Sequence, residues 1–124
     1  MDENENLILK FLINHSMQNI FKKNKVVLIT GSSKGIGAEL AKYFALNKYF
    51  TVINYSRSRD CAEKLYKDIT KKIDKKYLLL CKADVSNRKD VQTMFNKIIK
   101  SFGKLDILIN NAGLNIDKPF LKLS

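Results

Sequence analysis

The sequence predicts an α/β fold in which four strands form a doubly wound parallel sheet. Four short runs are apolar throughout, as expected for strands covered by helices on both faces. Amphipathic segments with helical spacing separate these runs. The polar loops after the four strands contain Gly31, Arg57, Asp84 and Asn110, which lie 26, 27 and 26 residues apart. Each interval fits one βα unit, so all four loops are expected at the carboxyl edge of the sheet, where such folds bind ligands.

The strands follow from the apolar runs and the turn residues that bound them. They are predicted at Val26–Ile29, Thr51–Tyr55, Tyr77–Cys81 and Leu105–Ile109. The doubly wound fold with right-handed crossovers then gives the strand order 3-2-1-4. The same rule places the first two helices on one face of the sheet and the third on the other. The fourth strand is expected to leave an unpaired, apolar edge at Leu105, Ile107 and Ile109.

The helices follow from apolar residues at helical spacing. They are predicted around residues 38–45, 60–73 and 88–102, with Asp60 as the cap of the second and Gly103 ending the third. Each is expected to bury one stripe. The predicted stripes are Ala38, Leu40, Ala41, Phe44 and Ala45 in the first helix, Cys61, Leu65 and Ile69 in the second, and Val91, Met94, Phe95, Ile98 and Ile99 in the third.

Length and composition fit one globular domain. The chain has 124 residues, 45% of them hydrophobic and 28% charged, which is too apolar for a disordered tail. No run approaches the roughly 20 uncharged apolar residues that a membrane span needs. Residues 1–24 are predicted to be an irregular leader or extension without a secretory signal pattern. A cytoplasmic location is therefore expected, with an organellar leader as the alternative.

The net charge of +11 raises nucleic acid or an acidic protein as a partner. The excess positive charge lies in residues 25–124 and is spread along them, which favours a solvated lysine-rich surface. No nucleic-acid recognition motif is present, so a nucleic-acid binder ranks last among the hypotheses. Cys61 and Cys81 lack metal-ligand spacing, so no metal site is predicted and reduced thiols are expected.

A glycine-rich loop follows the first strand, with the sequence TGSSKGIG at residues 30–37. Gly31 permits a tight turn, Gly35 lets the backbone approach a pyrophosphate, and Gly37 allows the helix to pack closely on the strand. The alternative is an ordinary glycine-rich βα turn, but the strand before and the helix after favour a nucleotide site. The loop lacks the Gly-Lys-Ser or Gly-Lys-Thr ending of a P-loop.

From about Lys25 onward the chain resembles the amino-terminal half of a classical short-chain dehydrogenase/reductase with a Rossmann-type fold. The resemblance rests on residues 30–37, on Ala83-Asp84-Val85, and on residues 105–113, LDILINNAG. The family consists of NAD(P)-dependent oxidoreductases. The resemblance implies that the residues along the cofactor are Ser32, Ser33 and Ile36 at the adenine ribose and pyrophosphate, Asp84 and Val85 at the adenine, and Asn110, Ala112 and Gly113 beyond them.

The segment after the second strand favours NADP over NAD. An acidic residue there would accept hydrogen bonds from a ribose 2'-hydroxyl and repel a 2'-phosphate. The segment has no acid before Asp60. Arg57, with Ser58 and with Lys34 from the glycine loop, is predicted to bind the phosphate, whereas Arg59 more readily fits a solvated loop.

The segment from Leu114 to Ser124 resembles that of the family's 3-oxoacyl-(acyl-carrier-protein) reductases, particularly in Asp117. This resemblance implies fatty acid biosynthesis, with a small-molecule or acyl-carrier-protein-bound carbonyl as the substrate. Acyl carrier protein is acidic and is recognised through Lys and Arg in that group. The resemblance also implies a homo-oligomer for the full-length form. From composition and motifs, no membrane or nucleic-acid partner is expected.

No catalytic residue is predicted within the chain. The family uses a Ser and a Tyr-x-x-x-Lys pair, in which Lys lowers the pKa of the Tyr phenol. No tyrosine here has a lysine four residues later, and the family's pair follows the matched segment. Residues 25–124 are therefore expected to be the amino-terminal part of an NAD(P)-binding Rossmann domain that ends before the catalytic segment. The alternative is a non-catalytic nucleotide-binding or partner-binding module.

Overall fold

The computed structural model describes residues 25–112, which form one parallel four-stranded sheet with helices on both faces. The elements in chain order are β1 (Val26–Ile29), α1 (Gly35–Leu46), β2 (Phe50–Tyr55), α2 (Arg59–Thr70), a 3-10 turn (Lys75–Tyr77), β3 (Leu78–Lys82), α3 (Arg88–Phe102) and β4 (Ile107–Ile109). The strand order is β3-β2-β1-β4. The predicted fold class and strand order are therefore confirmed.

Two apolar clusters lie on opposite faces of the sheet. One cluster joins the α1 and α2 stripes, including Ala41 and Leu65, to alternate residues of β1 and β2. The other joins α3, through Met94 and Ile98, to the remaining residues of the same strands. Because β1 is covered on both faces, all four of its residues are fully buried. This arrangement confirms the predicted distribution of the helices.

Three predictions about the helices were wrong in detail. The cap of α2 is Ser58, and Asp60 lies inside the first helical turn. Cys61 is exposed, because the buried stripe of α2 runs through Ala62, Leu65 and Ile69 instead. On α3, Ile99 is 50% exposed, since the helix faces the sheet through Met94 and Ile98.

The fourth strand is shorter than predicted. It begins at Ile107 rather than Leu105, and within residues 25–112 it pairs only with β1. The expected apolar edge is present, but its most exposed residue is Leu108, at 55%, whereas Ile107 and Ile109 are half-buried. Leu108 is level with Leu28 in the sheet, next to the face that α3 covers.

Asp106 directly precedes β4 and bonds to Val26, the first residue of β1. Its carboxylate accepts a hydrogen bond from the Val26 N–H at 2.8 Å and pairs with Lys104 at 3.2 Å. Partial burial alone would raise the pKa of Asp106. The Val26 N–H and the positive charges of Lys104 and Lys25 outweigh that effect and hold the pKa below its ordinary value.

Asp106 should make the stability of the protein pH-dependent. Its pKa is lower in the folded than in the unfolded state, so its stabilisation is present above the unfolded value of about 4 and is lost as the pH falls through the folded value. Asp106→Asn should lower the urea midpoint at pH 7, and the difference from wild type should shrink at pH 3. A difference that is the same at both pH values would contradict this role.

None of the helices between residues 25 and 112 is long and apolar enough to cross a bilayer.

Candidate cofactor site

The glycine loop leaves β1 at the carboxyl edge of the sheet and leads directly into α1. Gly31 and Gly35 have φ values of +60° and +64°, a conformation that residues with a Cβ atom rarely adopt. Lys34, Gly35 and Ile36 are exposed at the tip of the loop, and the side chain of Ile36 is 69% exposed. The backbone is therefore presented to solvent where a ligand can approach it.

Gly37 packs the start of α1 against the loop. A Cβ atom at this position would lie 2.8 Å from both the Gly31 carbonyl oxygen and the Ser32 Cα, and 2.5 Å from Asn111 Nδ2. Asn111 Nδ2 in turn donates a hydrogen bond to the Gly31 carbonyl oxygen at 3.0 Å. Only glycine fits here without displacing backbone atoms.

The amino terminus of α1 differs from that of α3. Lys34 is extended and makes no side-chain cap, and the first turn of α1 has no acidic residue. The Ala38 N–H donates to the Lys34 carbonyl oxygen, so the amides of residues 35–37 precede the helical ladder. In α3, by contrast, the Asn87 side chain accepts from two backbone amides and Asp90 lies in the first turn.

These features fit the pyrophosphate of a dinucleotide. A Cβ atom built at Gly35 meets nothing within 4 Å, so there is open space beside the backbone at the start of α1. Helix amides and the positive end of the helix dipole favour a negative group there, and Lys34 adds a positive charge. A side chain at residue 35 would fill the space that the phosphate needs.

Ser32 and Ser33 occupy different environments. Ser32 is fully buried, and its hydroxyl accepts a hydrogen bond from the Asn54 N–H at 3.0 Å. The buried side chain of Ser32 therefore connects the glycine loop to β2. The predicted contact of Ser32 with the cofactor stays a prediction. Ser33 is half-buried and lies nearer the exposed tip.

Thr30 connects the glycine loop to the segment after β4. Its hydroxyl accepts from the Ala112 N–H at 3.0 Å and lies 3.3 Å from Asn110 Oδ1, to which it can donate. Thr30 was not predicted as a site residue, although a polar residue at the end of a buried strand is well placed to bond to the loop after the neighbouring strand. The structure thus brings Asn110 and Ala112 beside the glycine loop, whereas Gly113 lies outside the described residues.

Asp84 and Val85 form the exposed start of the loop after β3. Hydrogen bonds from the Ser86 hydroxyl at 2.6 Å and the Ser86 N–H at 2.9 Å lower the pKa of Asp84, and the positive charge of Arg57 acts in the same direction. The Asp84 N–H donates to Asp90 Oδ2 at 2.9 Å. These hydrogen bonds connect the loop to α3, and the lowered pKa keeps the Asp84 carboxylate ionised at neutral pH.

Arg57 and Arg59 lie close in sequence but have different partners. Arg57 is exposed, and its positive charge helps to lower the pKa of Asp84; the loops after β2 and β3 are neighbours because these two strands pair. Arg59 pairs with Glu63 one turn along α2, with an Nε to Oε1 distance of 2.8 Å. That hydrogen bond, with the charge of Glu63, raises the pKa of Arg59. Ser58 lies between them as the N-cap of α2.

No cluster of His, Cys, Asp and Glu suited to a metal ion occurs between residues 25 and 112. Cys81 is buried, and burial raises the pKa of its thiol, with the charge of Lys97 opposing this effect. Such a thiol is a poor nucleophile. The features of this edge that can contact a ligand are the backbone amides at the start of α1 and the exposed charges of Lys34, Arg57 and Asp84.

Comparison with known proteins agrees with this description. The family model for short chain dehydrogenases matches residues 25–124. The chain is 33% identical over 100 residues to 3-oxoacyl-(acyl-carrier-protein) reductase FabG of Staphylococcus epidermidis, covering 81% of this chain and 40% of that protein. It is 37% identical over 96 residues to the short-chain dehydrogenase/reductase homolog YusS of Bacillus subtilis, covering 77% of this chain and 86% of that protein.

Among solved structures, a short-chain dehydrogenase/reductase of unknown function from Caenorhabditis elegans, crystallised with cofactor, superimposes with a TM-score of 0.66 and 36% identity. The superposition covers 69% of this chain and 32% of that one. The chain spans about 40% of the length of the FabG relatives that it matches. From the family match, the strand order and the glycine loop together, we conclude that the chain belongs to the short-chain dehydrogenase family.

Proposed function

We propose that this chain is the NADP-binding portion of a short-chain oxidoreductase that reduces a carbonyl group by hydride transfer. The observation that carries the proposal is the open, left-handed Gly35 at the uncapped start of α1. It lies at the same edge of the sheet as Arg57 and Asp84. A backbone site for phosphate thus shares this edge with a cation and a carboxylate.

Each part of the edge suits one part of a dinucleotide. The amides of Gly35, Ile36 and Gly37 would bind the pyrophosphate, and Ser33 lies beside them. Asp84, ionised and exposed, can accept a hydrogen bond from an adenine amino group. When bound, the reduced nicotinamide of NADPH would supply the hydride to the carbonyl carbon, and the proton for the carbonyl oxygen would come from the Tyr-x-x-x-Lys pair expected outside these residues.

The charges near the end of β2 support NADP rather than NAD. Arg57 is exposed there, Ser58 follows it, and Lys34 is exposed on the neighbouring glycine loop. Asp60 is the first acid after β2, and it is part of α2. A 2'-phosphate would therefore meet cations and a hydroxyl group rather than a carboxylate.

For the substrate, we propose a 3-oxoacyl thioester carried by acyl carrier protein, as the FabG relatives' name states for those proteins. The net charge of +11 is consistent with an acidic carrier protein. The proposal includes a homo-oligomer for the full-length form, as the family resemblance implies. It also includes a reducing, cytoplasmic compartment, which suits the free thiols of Cys61 and Cys81.

The second candidate function is a nucleotide-binding module that carries out no chemistry itself. The relative YusS favours it, because this chain matches 86% of that protein, so a family member of similar length exists. Sequencing the transcript past the codon for Ser124 separates the two candidates. A Tyr-x-x-x-Lys pair one or two βα units downstream supports the oxidoreductase, and an immediate stop codon supports the module.

Calorimetric titration of the full chain with NADPH and NADH tests the proposed cofactor. We expect saturable binding of both, with NADPH at least about tenfold tighter, because charge-assisted contacts to one phosphate are worth roughly 1.5–3 kcal/mol. Equal affinities would show that Arg57 does not bind a 2'-phosphate. Binding of neither nucleotide would refute the proposed function.

A further inference from the structure

Asn54 is a buried polar residue that the predicted site does not include. It is the penultimate residue of β2 and is 1% exposed. Burial of an amide side chain is costly unless its donors and acceptor are satisfied. Between residues 25 and 112, no buried side-chain polar atom lacks a hydrogen-bond partner, so Asn54 is satisfied by the groups around it.

On one side, Asn54 holds the glycine loop. Its Oδ1 accepts from the Gly31 N–H at 2.9 Å. Its backbone carbonyl oxygen accepts from the Ser32 N–H at 2.8 Å, and its own N–H donates to the Ser32 hydroxyl at 3.0 Å. The first of these bonds depends on the Asn54 side chain, and the other two do not.

On the other side, Asn54 holds the end of β3. Its Nδ2 donates to the carbonyl oxygens of Cys81 and Ala83, at 3.3 and 3.2 Å. Ala83 directly precedes Asp84, the first residue of the loop expected at the adenine. One amide group therefore accepts from the glycine loop and donates to the strand that carries the adenine loop.

We propose that Asn54 is the positioning residue that sets the glycine loop and the Asp84–Val85 loop at the separation a nucleotide requires. The proposal rests on the proposed function, because the two loops are assigned there to the pyrophosphate and the adenine. Asn54 touches neither the cofactor nor the reacting atoms. It acts on both loops, through the Gly31 N–H on one side and the Cys81 and Ala83 carbonyl oxygens on the other.

The amide is the side chain that fits this task. It presents an acceptor at one atom and two donors at the other, which matches the Gly31 N–H and the two carbonyl oxygens. Asn54→Ala removes these three bonds but retains both bonds to Ser32 that use the Asn54 backbone. The sheet connection therefore survives, and the variant is expected to fold with a looser Gly31.

The test compares Asn54→Ala, and the milder Asn54→Ser, with Thr51→Val in the full chain. Thr51 is a matched control, because it is fully buried on the same strand but donates to the Tyr49 carbonyl oxygen, away from the site. Amide hydrogen exchange is measured at Gly31 and at Leu28 in the ligand-free protein. Affinities are measured for ADP, which spans both loops, and for inorganic pyrophosphate, which needs the glycine loop alone.

We expect exchange at Gly31, relative to Leu28, to accelerate at least about tenfold in the Asn54 variants and not in Thr51→Val. ADP binding should weaken about tenfold, and pyrophosphate binding less than about threefold. An unchanged exchange ratio, or equal losses of ADP and pyrophosphate affinity, would overturn the proposal. If the wild-type chain binds neither ligand, the proposed function fails, and the exchange ratio alone decides whether Asn54 positions the loop.

Discussion

Gly37→Ala is expected to produce a large loss of stability. The added methyl group would lie 2.8 Å from the Gly31 carbonyl oxygen and from the Ser32 Cα, both backbone atoms of the loop. It would also displace Asn111 Nδ2, which donates to the same carbonyl oxygen. Because backbone atoms must shift, the cost should reach about 2–3 kcal/mol.

Gly35→Ala is the matched control, because a Cβ atom there meets nothing within 4 Å. Its cost to folding should be the conformational strain of an alanine at a φ of +64°, about 1 kcal/mol. Its effect on binding should be larger, since the methyl group fills the space into which the pyrophosphate fits. NADPH affinity should fall at least about tenfold.

Urea unfolding and NADPH titration of the two variants check this contrast. We expect Gly37→Ala to lower the unfolding midpoint more than Gly35→Ala, and Gly35→Ala to lose affinity while remaining folded. If Gly35→Ala binds NADPH as the wild-type chain does, the pyrophosphate does not lie against Gly35. If Gly37→Ala is as stable as wild type, the close packing of α1 on the loop is wrong.

Arg57→Ala is expected to remove the preference for NADPH over NADH. The guanidinium of Arg57 is exposed at the end of β2, where a ribose 2'-phosphate would lie. Its loss should weaken NADPH binding at least about tenfold and leave NADH binding within about twofold, since NADH has no phosphate there. Paired calorimetric titrations of wild type and variant measure both changes.

Arg59→Ala serves as the control for charge. It also removes one positive charge from the same segment, but Arg59 is engaged with Glu63 on the exposed side of α2. The preference of the Arg59→Ala variant for NADPH should match that of the wild-type chain. Equal losses of NADPH affinity in Arg57→Ala and Arg59→Ala would indicate that general surface charge, rather than a specific contact, attracts the phosphate.

The fold could be predicted from local patterns. Val26–Ile29 is apolar throughout because β1 is buried on both faces, and the regular spacing of Gly31, Arg57, Asp84 and Asn110 reflects repeated βα units. Together with the strand order of doubly wound folds and right-handed crossovers, these patterns predict the observed topology. They do not fix how far each helix is rotated about its axis on the sheet. Cys61 and Ile99 were therefore predicted to be buried, whereas both are exposed.

The support beneath the candidate site could not be predicted in the same way. Ser32 is one of several polar residues in a glycine-rich loop, and nothing local shows that its hydroxyl points inward to Asn54. Asn54 bonds to residues 22 to 29 positions away, namely Ser32, Gly31, Cys81 and Ala83. Such bonds depend on which strands become neighbours, so they emerge only when the sheet is assembled.

The proposed function requires the carboxyl edge of the sheet to bind a dinucleotide through the glycine loop. The most direct measurement is a map of backbone amide chemical shifts in the full chain as NADPH is added. We expect saturable shifts concentrated at Gly35, Ile36 and Gly37 and at Val85, with amides of the exposed face of α2 unmoved. An absence of saturable shifts, or shifts confined to surfaces away from this edge, would contradict the claim.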